Sequence, residues 1–235
     1  MHNRDTSNIQ DLLSESKKKI SLFLTDYLKE TATTMESSSV LAQDFSLYLL
    51  PFCLRGKMIR GSLVLYMHAF LQEATDKNIV TEKHVTQTAA ALELVQAALL
   101  IHDDIMDGDT LRRGKPTMHV QYEKRFLEKN KQNKSNQIIS QLGPSLAICL
   151  GDESLFLAMD LIAKLPDAFA GRVMRCVAPQ LVKTGLGQSQ DVINAYQDDV
   201  DKAAILSMYR NKTALYTFTI PLCVGALLAG KSKTY

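Results

Sequence analysis

Leu99–His119 reads LLIHDDIMDGDTLRRGKPTMH, and both the fold and the chemistry of the chain turn on it. The stretch closes a run, Ala89–Ile101, that is apolar almost all round. A helix hydrophobic on every side is normally buried, so this one carries three carboxylates, Asp103, Asp104 and Asp107, into or beside a core. The helical repeat stacks Asp103 over Asp107 with Asp104 beside them, which predicts that all three point into one volume. Carboxylates crowded in this way share protons or hold a cation. A hard, oxygen-seeking ion such as magnesium is the expected occupant where the substrate is a phosphate. Arg112 and Arg113, then Gly114, Lys115, Pro116 and Thr117, add a short basic turn within reach. Guanidinium, metal and carboxylate together read as a diphosphate clamp.

Two plainer readings are set against this. Carboxylates that merely cap a helix belong at its N-terminus, whereas these sit at the C-terminal end of the apolar run, against the dipole. The pair His102-Asp103 also resembles the dipeptide of all-helical HD-type metal phosphohydrolases, with His84 and His119 as the remaining candidate ligands. That reading leaves the arginine turn unexplained.

With 235 residues the chain has enough length for one substantial core, and a single helical domain over residues 1–235 is expected. Only 11 Gly and 6 Pro, among long stretches of Ala, Leu, Glu, Lys and Gln, favour helices. A net charge of +2, without a basic stripe interleaved with aromatics, gives no sign of nucleic acid binding. Cys53, Cys149, Cys176 and Cys223 lie far apart in apolar contexts, as buried thiols of a reducing compartment do, so a cytoplasmic location is expected. The polar start, MHNRDTSNIQ, lacks the apolar core of a signal peptide. The late apolar run, Thr217–Gly230, is shorter than the ~20 residues of a membrane span and contains Pro221, so it reads as a buried, kinked helix.

Along the chain, the pattern predicts an amphipathic helix from about Asn8 to Glu30, a Thr/Ser-rich linker to Ser39, and a helix from Val40 to Leu50 broken by Pro51. Gly56 is expected to open the next helix, with Lys57 and Arg60 on one face of its first turn. Cations there oppose the dipole unless an anion is bound. From Thr81 a helix leads into the acidic cluster. Glu93, Gln96, Asp103 and Asp107 form its partly polar stripe, expected to line a cavity. Residues 123–137 are hydrophilic and read as a surface loop or exposed helix end. Helical patterns resume over Pro144–Ala163, with Gly151-Asp152-Glu153, and over Asp167–Leu186. After these come Gln188 and Asp191, then an acidic helix start at Asp198, Asp199 and Asp201, and finally a helix beginning at Lys212-Thr213.

The order of pieces, GKxxR at Gly56–Arg60, Gln96 ahead of HDDxxD, RRGKPT, GD, GQxxD at Gly187–Asp191 and KT, resembles the trans-isoprenyl diphosphate synthases. The resemblance runs from about Gly56 onward and is most specific in DDxxD with RRGKPT. It implies an all-α bundle around a central cavity, usually a homodimer. It also implies head-to-tail condensation of isopentenyl diphosphate with an allylic diphosphate. By the same resemblance, Asp103 and Asp107 hold Mg2+ with Asp104 in support, and Arg112 and Lys212 contact the allylic diphosphate. Lys57, Arg60, Gln96 and Arg113 hold isopentenyl diphosphate, and Thr213 and Gln188 lie near the developing cation. Ala98 and Leu99, small and medium where bulky aromatics stop growth at about fifteen carbons, imply a product of twenty carbons or longer. The family's second aspartate-rich motif does not occur before Tyr235. The expectation is therefore a piece of such a synthase inactive by itself, or a non-catalytic partner subunit.

Overall fold

In the computed structural model the described residues are 4–72, 79–129, 136–197 and 199–231. The architecture is all-α, with one minute hairpin: α1 (Arg4–Met35), α2 (Leu50–Leu54), α3 (Ile59–Leu71), α4 (Glu82–Met106), β1 (Leu111–Arg112), β2 (Lys115–Pro116), α5 (Met118–Lys129), α6 (Asn136–Ala163), α7 (Asp167–Asn194), α8 (Lys202–Tyr209) and α9 (Ile220–Leu228). Two compact units arise. The first comprises Met1–Leu24, Lys57–Glu93 and Met159–Tyr235; the second comprises Thr25–Gly56 and Leu94–Ala158. The first closes over Ile20, Leu92, Leu161, Val173, Ile220 and Val224, and the second over Leu28, Leu49, Leu94, Ile101, Met118 and Leu150, all almost fully buried.

α4 has the burial its composition predicts: every residue from Val85 to Val95 is buried. Its start is fixed by Thr81, whose hydroxyl accepts from His84 N. α1 buries Ile20, Leu24, Leu28 and Ala32 at 3-4 spacing, but it continues through the expected linker to Met35. The hydroxyls of Thr33 and Thr34 donate to Lys29 O (3.0 Å) and Glu30 O (2.9 Å), which keeps these polar residues helical.

Neither proline breaks the chain. Pro51 and Pro221 each occupy the second residue of an α-helix, and each follows a π-helical segment, Phe45–Leu49 and Arg210–Thr219. Proline cannot donate to the carbonyl four residues back and its ring crowds that carbonyl, and a wider turn just ahead relieves both conflicts. The last helical run accordingly starts at Lys202, not at Lys212, with Asp201 capping it through a bond from Ala203 N (3.2 Å). α6 begins before Pro144, and α7 runs past Leu186 to Asn194. The hydrophilic segment 123–137 belongs to α5 as far as Lys129; 130–135, like Asp198, lies outside the described residues. Cys53, Cys176 and Cys223 are buried as expected, but Cys149 is exposed, because it falls on the outer face of α6. No described helix is long and apolar enough to cross a membrane.

Candidate active site

The acidic turn is shaped by glycine. Asp109 N donates to Asp104 O (2.9 Å) and Gly108 N to Ile105 O (3.3 Å), with Gly108 at φ +68°. This is the helix ending that needs a left-handed residue, a conformation glycine adopts without steric cost. It leaves Asp103 and Asp104 in the last turn of α4 and Asp107 at its cap. That last turn carries no basic residue to offset them.

The cation arrives on the hairpin. Arg113 (φ +53°) and Gly114 (φ +71°) form the two-residue loop between β1 and β2, pairing Arg112 with Lys115. Two successive positive φ angles mark the turn whose twist suits a hairpin. Buried Thr117 anchors it, its N–H donating to Thr110 O (3.1 Å) and its hydroxyl to Asp109 O (2.8 Å). The guanidinium of Arg112 then donates from Nε to Asp104 Oδ1 and from Nη2 to Asp103 Oδ2 (3.3 Å).

Asp103 and Asp104 meet at one guanidinium, but the three carboxylates differ in burial. Successive residues are about 100° apart on a helix. Asp104 is turned inward with no exposure, Asp103 is partly buried, and Asp107 is exposed. The pKa of Asp104 is raised, chiefly by burial and further by the charges of Asp109 and Asp103, against the opposing pull of Arg112. Asp104 Oδ2 is buried without a hydrogen-bond partner. Among the described residues no three His, Cys, Asp or Glu side chains group as a metal cage.

His102 faces elsewhere. Its Nε2 lies 3.3 Å from Ile148 O and 3.4 Å from Asp152 Oδ1. A Cβ on Gly151 would come within 2.7 Å of ring atom Cδ2, so glycine in the GD pair makes room for the imidazole. Nearby, Glu153 has a raised pKa from burial and from the charges of Asp44 and Asp152. Asp44 itself is buried and accepts from Tyr122 Oη (2.9 Å) and Arg125 Nη1 (2.7 Å).

In the first unit, α3 starts at Ile59, not Gly56. Met58 adopts a left-handed conformation (φ +52°) that buries its side chain, leaving Lys57 exposed on the preceding turn. Lys57 and Arg60 therefore do not share a helix face. Arg60 stacks 4.3 Å over the ring of buried Tyr216 and donates to Thr217 Oγ1 (2.7 Å). The anion at the N-terminus of α3 is supplied internally, since buried Glu93 accepts from Gly61 N (2.8 Å). Lys212, on the π-helical segment, pairs with Asp191 of α7. Thr213 is exposed; Gln188, Gln96 and Leu99 are partly buried and Ala98 is fully buried. A cavity of about 520 Å³ in this unit is lined by Leu12, Lys19, Leu65, His68 and Val85, among others, and not by the polar stripe of α4.

The structure thus joins Asp103, Asp104 and Arg112 in the second unit, and Lys212 with Asp191 in the first. Sequence reading missed the pairings of Glu93 and Asp191. The signal for Asp191 was its helical spacing from Gly187, which packs against Lys212; Glu93 was marked as part of the polar stripe of α4, but nothing local points to Gly61 as its partner.

The described residues thus form an all-helical frame in which an acidic helix end is tied to an arginine hairpin. The chain belongs to the polyprenyl synthetase family, whose model matches residues 44–235. It is 30% identical over 175 residues to heptaprenyl diphosphate synthase component 2 of Geobacillus stearothermophilus, covering 74% of this chain and 45% of that one. It is 27% identical over 210 residues to farnesyl diphosphate synthase of Haemophilus influenzae, covering 85% and 60%. Among solved structures, geranylgeranyl pyrophosphate synthase from Corynebacterium glutamicum, complexed with isoprenyl diphosphate and magnesium, matches with TM-score 0.85 and 28% identity. That match covers 94% of this chain and 61% of the other. The chain spans about half the length of the curated relatives it matches.

Proposed function

We propose that this chain carries diphosphate-binding machinery of a trans-prenyltransferase that condenses isopentenyl diphosphate head-to-tail with an allylic diphosphate. The observation that carries the proposal is the hairpin that delivers Arg112 onto Asp103 and Asp104. A guanidinium held at an acidic helix end is poised to exchange a carboxylate for a phosphate oxygen.

Magnesium fits the donor set. It binds commonly through one or two carboxylates plus substrate phosphates, so a three-residue cage is not required. Asp103 and exposed Asp107, one helical turn apart, are the residues to hold it, with Asp104 fixing Arg112 beside them. An ion held there would supply positive charge to offset the negative charge of a departing diphosphate. Of the chain's own cations, Arg112 and Lys212 are assigned to that same departing diphosphate, and Arg113, Lys57 and Arg60 to the diphosphate of isopentenyl diphosphate. Gln96 is assigned to isopentenyl diphosphate, and Thr213 and Gln188 are assigned to the allylic carbon that becomes electron-poor. The released diphosphate takes the proton, which agrees with the lack of any Ser-His pair in this reading. Ala98 and Leu99 leave room for a product of twenty carbons or longer.

The reading extends to a homodimer in the cytoplasm. The homodimer is supported by Ile148, Phe156 and Met159, which are exposed on one face of α6. A second reading, a subunit that works with a different chain, is favoured by the relatives named heptaprenyl diphosphate synthase component 2.

The test is calorimetric binding of farnesyl diphosphate to residues 1–235 with and without magnesium. Magnesium-dependent binding that disappears in Asp103→Ala, with helical circular dichroism unchanged, supports the proposal. Binding indifferent to magnesium and to Asp103 refutes it.

A further inference from the structure

The π-helical segment Arg210–Thr219 carries Lys212 and Thr213, and it runs for ten residues. Such turns are usually single, because the geometry is less favourable than the α form. Something outside the segment must hold it open, and one face of α7 makes the contacts. The hydroxyl of buried Thr184 lies 3.0 Å from Gln180 O on its own helix and 3.3 Å from Asn211 O across the interface. Three residues on, Gly187 lets the two backbones touch: a Cβ there would lie 2.6 Å from Lys212 N, 3.0 Å from Lys212 Cα and 3.1 Å from Asn211 C. Four further on, Asp191 pairs with Lys212 Nζ. Positions 184, 187 and 191 follow the i, i+3, i+7 spacing of a single helical face.

We infer that Thr184 and Gly187 are positioning residues: they hold the π register of 210–219 and thereby aim Lys212 and Thr213. The hydroxyl shares its single proton between Gln180 O and Asn211 O at the place where the segment meets α7. The missing Cβ allows the approach that brings Lys212 within reach of Asp191. If the segment relaxed to α geometry, Lys212 and Thr213 would rotate relative to α7 and this contact would be lost. The role rests on the diphosphate-binding reading for its purpose, though not for its geometry.

The experiment compares Thr184→Val, Thr184→Ser and Gly187→Ala in residues 1–235. Amide hydrogen exchange is followed by mass spectrometry in peptides covering 208–219 and, as a control, 221–228, alongside calorimetric titration with farnesyl diphosphate and magnesium. Thr184→Val and Gly187→Ala should speed exchange at least tenfold in 208–219 while leaving 221–228 within twofold of the parent. Diphosphate affinity should fall about tenfold in both. Thr184→Ser, which keeps the hydroxyl, should match the parent in both measurements. Unchanged or uniformly altered exchange overturns the inference, as does faster exchange with unchanged affinity, or serine behaving as valine does. Absence of binding by the parent chain refutes the functional proposal instead, and the exchange pattern then decides the register lock by itself.

Discussion

Arg112→Leu tests whether the first arginine of RRGKPT belongs to the fold as much as to a substrate. The substitution keeps much of the stem volume but strips Asp104 of its guanidinium partner, and Asp104 has no exposure to solvent. Removing one member of a buried pair costs about 3–5 kcal/mol; with Arg112 itself partly exposed, the lower end, about 3 kcal/mol, applies. For a chain of this length that corresponds to a melting temperature lowered by roughly 6–12 °C. The pH dependence has a definite sign. Burial already sets the Asp104 pKa above its unfolded value, so the native state binds more protons than the unfolded state between the two, and stability falls as pH rises through that window. Losing the guanidinium raises the native pKa further. The deficit of Arg112→Leu should therefore be largest at pH 7.5 and shrink towards pH 5. The double variant Arg112→Leu, Asp104→Asn should recover most of it. Urea denaturation at both pH values is the measurement. A deficit below about 1 kcal/mol, or one equal at both pH values, would show that the hairpin is not held by this pair.

Glu153→Gln should stabilise the chain at pH 8, because burial and the charges of Asp44 and Asp152 disfavour the carboxylate; the gain should fade as pH falls and the parent glutamate protonates, and melting curves across pH 5–8 check it. Gly151→Ala should cost about 1–3 kcal/mol through collision with His102, and His102→Ala in the same chain should relieve most of that loss; denaturation midpoints that ignore residue 102 would argue against the collision. Phe156→Glu on the exposed face of α6 should convert a dimer to a monomer in sedimentation velocity, and a parent that is already monomeric contradicts the homodimer. Where elongation is measurable, Leu99→Phe should shorten the extracted prenyl products, and an unmoved distribution would place the floor of the cavity elsewhere.

The long buried helix was legible because α4 is apolar on every face, and the acidic turn because three aspartates at the wrong end of a helix have few bland explanations. The direction of each carboxylate was not legible. Spacing puts Asp103 and Asp104 side by side, but only packing decides that Asp104 turns inward to meet Arg112. The hairpin was foreshadowed by Gly114, although a left-handed Arg113 is the less common partner in such a loop. The start of α3 was misplaced because Gly56 looks like a helix opener, whereas burial of Met58 determines where the chain turns. Pro51 misled because a single-period helical pattern has no symbol for a widened turn that absorbs the missing donor.

The widened turn ahead of Pro221 has a consequence for anyone recombining this chain with its relatives. α8, the π-helical segment and α9 form an uninterrupted rod, yet the outgoing half is out of phase with the incoming half, as two gears on one shaft can be keyed at different angles. A splice made at either end of Lys202–Leu228 transplants both phases together. A splice made inside it, joining an ordinary helix from one parent to Pro221 of this one, would keep every motif in the alignment and still point the lysine of KT in a new direction.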